Sequence, residues 1–271
     1  MEVWCLGGFR MRRRGRPLDW SPLRPRSRTA LRLLAMYAGR AVHRESLIDA
    51  LWPDLPAGAA TRNLHVTLSS LRTFLEPGTP RGQCGLLVRD GDAYGLALPE
   101  DGYSDVAEFT AALDRARRCR TDADPAAMLE ALGAAVAAYG GDLLPEDGPA
   151  EWVVREREML RYRAAEAAAE LATATLTAGE TARAVAAAER CVQIDPYWDP
   201  GWRLLAEGYD RLGNRASAAR ARRQYADVLA SLDVTARDQV LALPDPVPGR
   251  ERRTRAHPAH TRVPARARIP T

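Results

Sequence analysis

Apolar residues near the amino terminus recur at every second position. The alternating positions are Val3, Cys5, Gly7, Phe9 and Met11. Because successive side chains of a strand point to opposite faces, this spacing predicts short β-strands within residues 2–18. Arg14-Gly15-Arg16-Pro17 then has the composition of a turn.

After residue 26 the apolar spacing changes to steps of three and four, which predicts helices. The predicted helices cover residues 27–37, 44–52 and 57–75, and each stops before a glycine or a proline. Two apolar runs, 86–88 and 94–98, then flank Asp90-Gly91 and predict a β-hairpin. Strands, three helices and a hairpin in this order are typical of a winged helix-turn-helix.

From Ser104 to about Leu243 the chain is alanine-rich, and its spacing predicts an all-α string of helical hairpins. The pattern repeats at 34 residues, the period of tetratricopeptide-like arrays. Pairs at this separation are Gly179 and Gly213, Ala182 and Ala216, Ala184 and Ala218, and Ala187 and Ala221. Each hairpin has an apolar face that only a neighbour can cover, so the hairpins should stack. A generic alanine-rich helical bundle is the alternative. The fold class is therefore mainly α, with an α+β winged helix followed by helical repeats.

The distribution of charge divides the chain into three predicted segments. Residues 1–100, here called the head, hold 15 arginines and 9 acids, whereas residues 101–243, the body, hold 17 arginines and 24 acids. Residues 244–271 hold seven arginines, two acids and six prolines, which predicts a disordered basic tail. A basic head suits a polyanion such as duplex DNA, and an acidic body does not.

Other features of the composition exclude several classes of protein. No apolar run is long enough to span a membrane, and the first residues do not resemble a signal peptide. Four scattered cysteines predict neither a zinc site nor disulfides, and they fit a reducing cytoplasm. The chain has no lysine and therefore no phosphate-binding GxxxxGK[ST] loop. No catalytic motif, metal site or cofactor is expected, so the protein is predicted not to be an enzyme.

The third predicted helix of the head presents two different faces. Leu64, Leu68, Leu71 and Leu75 follow at steps of four, three and four, so they should pack on the core. The opposite face is polar and carries small hydrogen-bonding groups that suit base edges in a major groove. Its residues are Arg62, Val66, Ser69, Ser70 and Thr73, flanked by Asn63 and His65. An ordinary solvated face is the alternative. Phosphate contacts are expected from Arg44, Arg72 and Arg89, and further ones from Arg26, Arg28 and Arg32.

Three stretches of the head resemble the OmpR-like winged helix of the bacterial antibiotic regulatory (SARP) family: residues 31–42, 47–53 and 68–72. The body resembles the bacterial transcriptional activator domain of the same family. That likeness is carried by Tyr139-Gly140-Gly141-Asp142-Leu143-Leu144-Pro145-Glu146-Asp147, Glu151-Trp152, Arg155-Glu156-Arg157, Asp195-Pro196-Tyr197 and Trp202-Arg203-Leu204-Leu205. The resemblance spans residues 2–243. It implies a cytoplasmic, nucleoid-associated transcription activator that binds direct repeats at promoters, as a homodimer on DNA, and recruits RNA polymerase, often for a biosynthetic gene cluster.

By matching positions, the resemblance implies base contacts at Asn63, Val66 and Ser70. It implies backbone contacts at Arg62, Thr67, Ser69 and Arg72, in addition to Arg44 and Arg89. The chain departs from OmpR-like proteins at Ser70, Thr73 and Gly95, where they usually carry arginine. These departures favour a rival hypothesis, a protein–protein adaptor with a degenerate winged helix that does not bind DNA.

The aromatic residues and the loop acids of the body are predicted to have structural rather than functional roles. Its aromatic residues should be anchors of helix packing rather than a ligand site: Trp152, Tyr162, Trp198, Trp202, Tyr209 and Tyr225. Asp142, Glu146 and Asp147 are expected to be helix caps and solvated charges rather than a catalytic pair.

Overall fold

The computed structural model describes residues 1–80 and 83–232. The predicted tail, residues 244–271, lies outside this range, as does the end of the predicted body after Leu232. Within the described residues, the fold is a winged helix followed by an all-α body, as the sequence predicts.

The three helices of the head form where the apolar spacing predicts them. They are α1 (Pro25–Met36), α2 (Arg44–Leu51) and α3 (Ala57–Leu75). Helix α1 begins two residues earlier than expected because Pro25 occupies its first turn, where its fixed φ and missing N–H carry no penalty. Helix α2 begins after His43, whose Nδ1 accepts a hydrogen bond from the Glu45 N–H at 3.3 Å.

In the part of the chain that the structure describes, seven short strands form two sheets. The strands are β1 (Glu2–Trp4), β2 (Arg10–Arg13), β3 (Arg16–Pro17), β4 (Val42–His43), β5 (Leu87–Asp90), β6 (Ala93–Leu96) and β7 (Tyr103–Ser104). The first sheet has the order β3-β2-β1-β7, and the second has the order β4-β6-β5. The β5–β6 hairpin is the wing, and it turns at Gly91, where φ is +54°. Strand β7 pairs parallel to β1, which the sequence pattern does not predict.

The body consists of six α-helices within the described residues. They are α4 (Asp105–Thr121), α5 (Pro125–Ala138), α6 (Glu151–Thr177), α7 (Thr181–Ile194), α8 (Asp199–Arg211) and α9 (Arg215–Ser231). A single 3-10 turn, Pro145–Asp147, interrupts the long connection between α5 and α6.

The predicted 34-residue repeat corresponds to the hairpins α6–α7 and α8–α9. Gly179 and Gly213 follow the first helix of each hairpin with φ of +83° and +74°, a conformation that costs glycine little. Alanines at matching positions of the second helices are buried: Ala184 and Ala218, and Ala187 and Ala221. The sequence repeat therefore marks both the turns and the close helix contacts of a tetratricopeptide-like array.

Head and body are joined through the buried carboxylate of Asp105, the first residue of α4. Its oxygens accept hydrogen bonds from the Cys5 N–H at 2.9 and 3.0 Å and from the Leu6 N–H at 2.8 Å. They also accept one from the Val106 N–H at 2.8 Å. Burial raises the pKa of Asp105, although these N–H donors act in the opposite direction. A carboxylate of the body thus satisfies backbone donors at the end of β1.

The α5–α6 connection forms the other side of this joint. Leu144 donates its N–H to the Cys5 carbonyl at 2.9 Å, and Gly7 donates its N–H to the Asp142 carbonyl, also at 2.9 Å. The two backbones approach so closely that a Cβ on Gly140 would lie 2.9 Å from the Leu6 carbonyl oxygen. A glycine is therefore required at this position.

The loop acids are not a catalytic pair, and the expectation of solvated charge fails for Asp147, whose side chain is buried, while Glu146 is exposed and Asp142 is partly exposed. Asp147 forms a bidentate salt bridge with Arg32 of α1, with N···O distances of 2.5 and 2.6 Å. Glu146 accepts the Phe9 N–H at 2.7 Å, and Asp142 pairs with Arg161 of α6. Glu146 and Asp147 therefore bind the head, which local sequence patterns do not reveal.

The aromatic residues of the body divide into two groups. Trp202 and Tyr225 are buried and stack at 6.1 Å between ring centroids, as packing anchors should. Trp152, Trp198 and Tyr209 are half-buried. The Tyr162 ring meets the Trp198 ring edge-on, with 5.0 Å between ring centroids. Because Tyr162 is 54% exposed, the prediction that it anchors helix packing is wrong.

We expect replacement of Asp105 by alanine to destabilise the protein by about 3 kcal/mol, because buried N–H groups would lose their acceptor. The free energy of unfolding in urea measures this change. Asp101→Ala, at an exposed position of the preceding turn, is the matched control and should cost less than about 0.5 kcal/mol. Equal effects of the two substitutions would show that the carboxylate does not hold the joint.

Candidate nucleic-acid interface

Helix α3 is amphipathic, and its apolar side is fixed in the core of the head. Leu64, Leu68, Leu71 and Leu75 are each at most 1% exposed, as their spacing predicts. Burying four leucines contributes roughly 1.5–3 kcal/mol for each side chain. This burial sets the rotation of the helix, so the opposite side must face solvent.

Most of the predicted contact residues lie on the solvent side of α3. Arg62, Asn63 and Ser69 are exposed, and Ser70 and Arg72 are partly exposed. Val66 is 65% exposed, which is unusual for a β-branched apolar side chain and suits contact with a thymine methyl group.

Thr67 lies on the opposite side from this set. Its side chain is only 7% exposed because it packs toward the core beside Leu64, Leu68 and Leu71. The backbone contact expected at Thr67 does not fit this placement.

Arg44, at the start of α2, lies beside the turn of the wing. Its Nη1 is 3.2 Å from a carboxylate oxygen of Asp92, and its backbone N–H donates to the Asp92 carbonyl at 2.8 Å. Both side chains of this ion pair are about half exposed, so the pair contributes little stability. Arg44 could therefore exchange the Asp92 carboxylate for a phosphate. The start of α2 and the wing turn therefore form one surface.

Arg89 on the wing is held in a defined position. Its Nε donates to the Gly91 carbonyl at 2.8 Å, and its guanidinium lies 5.9 Å from the centre of the Tyr94 ring. A groove of about 680 Å³ separates α3 from this strand. Ser69, Arg72 and Thr73 line one wall of the groove, and Arg89 lines the other. Two arginines thus line one open channel, together with the acid Glu76 at the end of α3.

The three departures from the OmpR-like pattern have different structural consequences. Gly95 is buried in β6, where a Cβ would lie 2.9 Å from the Arg40 carbonyl oxygen, so this backbone excludes an arginine. Thr73 is exposed, and its hydroxyl donates to the Ser69 carbonyl one turn earlier at 3.2 Å. Ser70 is partly exposed, so an arginine would fit at Ser70 and Thr73 but not at Gly95.

Two of the further arginines considered for phosphate contact have structural roles. Arg32 is paired with Asp147 across the joint. Arg28 donates to the carbonyls of Leu23 and Ser21 at 2.8 and 2.6 Å, which holds the segment before α1. Arg26 is exposed.

The described residues contain no group of three or more acids, histidines or cysteines that could hold a metal ion. None of the helices described is long and apolar enough to cross a membrane. Burial raises the pKa of the Cys5 thiol, and it raises that of Cys191 to about 12, so neither is a ready nucleophile.

Two sequence families match the chain. The bacterial transcriptional activator domain matches residues 104–245, and the family described as transcriptional regulatory protein, C terminal, matches residues 20–88. Both are families of transcription regulators rather than of enzymes.

The curated relatives include the transcriptional regulatory protein EmbR of Mycobacterium bovis and of Mycobacterium tuberculosis. Each is 26% identical over 233 residues, which cover 85% of this chain and 58% of the relative. The chain thus spans less than two thirds of their length. A solved structure, Mycobacterium tuberculosis EmbR in complex with a low-affinity phosphopeptide, superposes with a TM-score of 0.68 at 23% identity. The superposition covers 89% of this chain and 63% of the EmbR chain, and the likeness shows that the two share a fold.

We expect Gly95→Ala to destabilise the protein by about 1–3 kcal/mol, because its Cβ would collide with the Arg40 carbonyl. Gly85→Ala is the control, since a Cβ there meets nothing within 4 Å. Thermal and urea unfolding of both variants test the account. Wild-type stability in Gly95→Ala would show that this position leaves room for a side chain on the wing.

Proposed function

Because this chain belongs to the family of the bacterial transcriptional activator domain, in the winged-helix arrangement of the SARP regulators, we propose that it binds promoter DNA in a sequence-specific manner and activates transcription. Helix α3 enters the major groove. Asn63, Val66 and Ser70 contact bases, and phosphates are held by Arg44, Arg62, Ser69, Arg72 and Arg89.

The observation that carries this proposal is the surface formed by α3, the start of α2 and the wing. The exposed polar side of α3 faces solvent next to a channel lined by Arg72 and Arg89. A duplex with its backbone in this channel would place a major groove against Asn63 and Val66. The positive charges of Arg44, Arg62, Arg72 and Arg89 would attract the phosphates of a duplex to that surface.

The finer parts of the proposal concern the operator and the partners. Direct repeats at the promoters of a biosynthetic cluster are the target, and RNA polymerase is the recruited partner. The body pairs protomers on adjacent repeats, because the acidic body is not suited to bind DNA itself. The rival adaptor hypothesis gains support from Gly95, which keeps a wing arginine out. The exposed side of α3, by contrast, favours DNA.

We expect binding to promoter DNA to weaken steeply with salt. If Arg44, Arg62, Arg72 and Arg89 each neutralise one phosphate, log K should fall against log salt with a slope of about −4. Fluorescence anisotropy at several salt concentrations measures the slope. The adaptor hypothesis instead predicts no binding to any promoter fragment at low salt.

We expect Asn63→Ala and Arg72→Ala to have different effects on DNA binding. Loss of Asn63 should cost about 1–3 kcal/mol on the preferred sequence and reduce discrimination between sequences. Loss of Arg72 should weaken all sequences alike and reduce the salt slope by about 1. Titrations on the operator and on a scrambled duplex separate the two effects. Sequence-independent losses in both variants would place α3 outside the groove.

We expect the intact protein to occupy a two-repeat site cooperatively. Pairing through the body raises the effective concentration of the second head at the neighbouring repeat. Gel-shift titrations on one-repeat and two-repeat DNA measure the gain. Independent filling of the two repeats would contradict pairing of protomers while leaving DNA binding intact.

A further inference from the structure

The hairpin of β2 and β3 concentrates positive charge at one edge of the first sheet. Its arginines are Arg10, Arg12, Arg13, Arg14 and Arg16, five within seven residues. We call this segment, residues 10–16, the basic hairpin. None of the DNA contacts proposed above involves it.

The strand register places two of these arginines on the outer face of the sheet. Val3 and Met11 pair across β1 and β2 and are buried, so their neighbours along each strand point outward. Trp4 lies opposite Arg10 on this outer face. Arg10 and Arg12 lie on either side of the buried Met11 along β2, and both are exposed.

An aromatic surface orders the two guanidinium groups. The guanidinium carbons of Arg10 and Arg12 lie 5.7 and 5.4 Å from the centre of the Trp4 ring. Tyr103 of β7 supports Trp4 at 5.6 Å between ring centroids. Cation–π contact holds a guanidinium by its flat face and leaves its N–H edge free to bind an anion. Arg10 and Arg12 are therefore preorganised as donors.

The protein places two carboxylates near this charge, but neither forms a salt bridge with the hairpin. Glu2 lies opposite Arg12 across β1 and β2. Burial raises the pKa of Asp105, and the nearby charge of Arg10 opposes this rise. Among residues 1–80 and 83–232, no salt bridge involves Arg10, Arg12, Arg14 or Arg16. Arginines of the body such as Arg161 and Arg222 are paired with acids. The positive charges of the hairpin repel one another at this density. An anionic partner would offset this repulsion, which favours its binding to the hairpin.

The basic hairpin lies away from the part of α3 proposed to contact bases. Nη1 of Arg13 donates to the carbonyl of Leu75, the last residue of α3, at 2.6 Å. Asn63 is twelve residues earlier in the same helix, a separation of about 18 Å along the helix axis. The hairpin thus lies beside the C-terminal end of α3, and Asn63 lies toward the other end. Because Trp4 and Tyr103 add an apolar surface beside the arginines, the hairpin suits a peptide with both carboxylates and apolar side chains better than a phosphate backbone.

We propose that the outer face of the basic hairpin, with Trp4 and Tyr103, is a docking surface for an acidic peptide segment of another protein. Carboxylates of the segment bind the N–H edges of Arg10 and Arg12, and an apolar side chain packs on Trp4. Tryptophan, tyrosine and arginine are the residues that most often dominate protein–protein interfaces, and all three meet here.

The test uses the full-length chain and a short labelled peptide of alternating glutamate and phenylalanine. Arg10→Glu/Arg12→Glu should weaken peptide binding by roughly tenfold or more. Arg118→Glu/Arg223→Glu, at exposed positions of the body, changes the net charge equally and should weaken it by less than about twofold. Trp4→Ala keeps every charge and should also weaken binding. Arg10→Ala/Arg12→Ala replaces the reversed pair if circular dichroism shows that the latter is unfolded.

A parallel titration with promoter DNA distinguishes this proposal from the DNA-binding function. Arg10→Glu/Arg12→Glu should leave promoter affinity within about twofold of wild type, because neither arginine is among the proposed phosphate contacts. Three results would overturn the proposal. They are an equal loss of peptide binding in the control pair, no saturable binding of the peptide to wild type, and a loss of DNA affinity as large as that of peptide affinity.

Discussion

The placement of the head on the body depends on the burial of one carboxylate. Asp105 accepts the N–H groups of Cys5 and Leu6, which directly follow β1, and it does so from the first turn of α4. The positive end of the helix dipole favours negative charge at that position. The carboxylate thus satisfies backbone donors at the end of the strand and at the start of the helix, where the Ser104 hydroxyl also accepts the Ala107 N–H.

The rest of the joint extends from this point. Arg157 of α6 donates to the carbonyls of Leu143, Leu144 and Gly148, each at 2.7 Å, and so fixes the loop that meets the head. Asp147 of that loop pairs with Arg32 of α1, one of the helices that support α3. The body is thus connected to the helices that support α3 by polar contacts rather than by a linker alone. A protomer contact made by the body would therefore influence the orientation of α3.

The features that depend on local pattern could be predicted from sequence. Helix α3 matches its predicted bounds because its apolar spacing and the proline and glycine after it are local signals. Gly179 and Gly213 mark the repeat for the same reason. The joint could not be predicted, because Asp105 lies about a hundred residues from the groups it binds and no periodicity connects them. For Glu146 and Asp147, the one available signal is their place in a glycine-rich loop, which also fits solvated charges. The contact expected at Thr67 rests on family position alone, which does not reveal the rotation of the helix.

The central claim is that the exposed side of α3 lies in the major groove of promoter DNA. The direct measurement is DNA cleavage by an iron chelate attached to a cysteine introduced at position 65, which is exposed on α3 and is not a proposed contact, with Cys84 and Cys119 replaced to prevent labelling elsewhere. A cysteine at position 137, exposed on α5, is the control. We expect cleavage clustered in one major groove of each repeat from position 65 and none from position 137. Absence of cleavage from position 65, or equal cleavage from both positions, would contradict the placement of α3 in the groove.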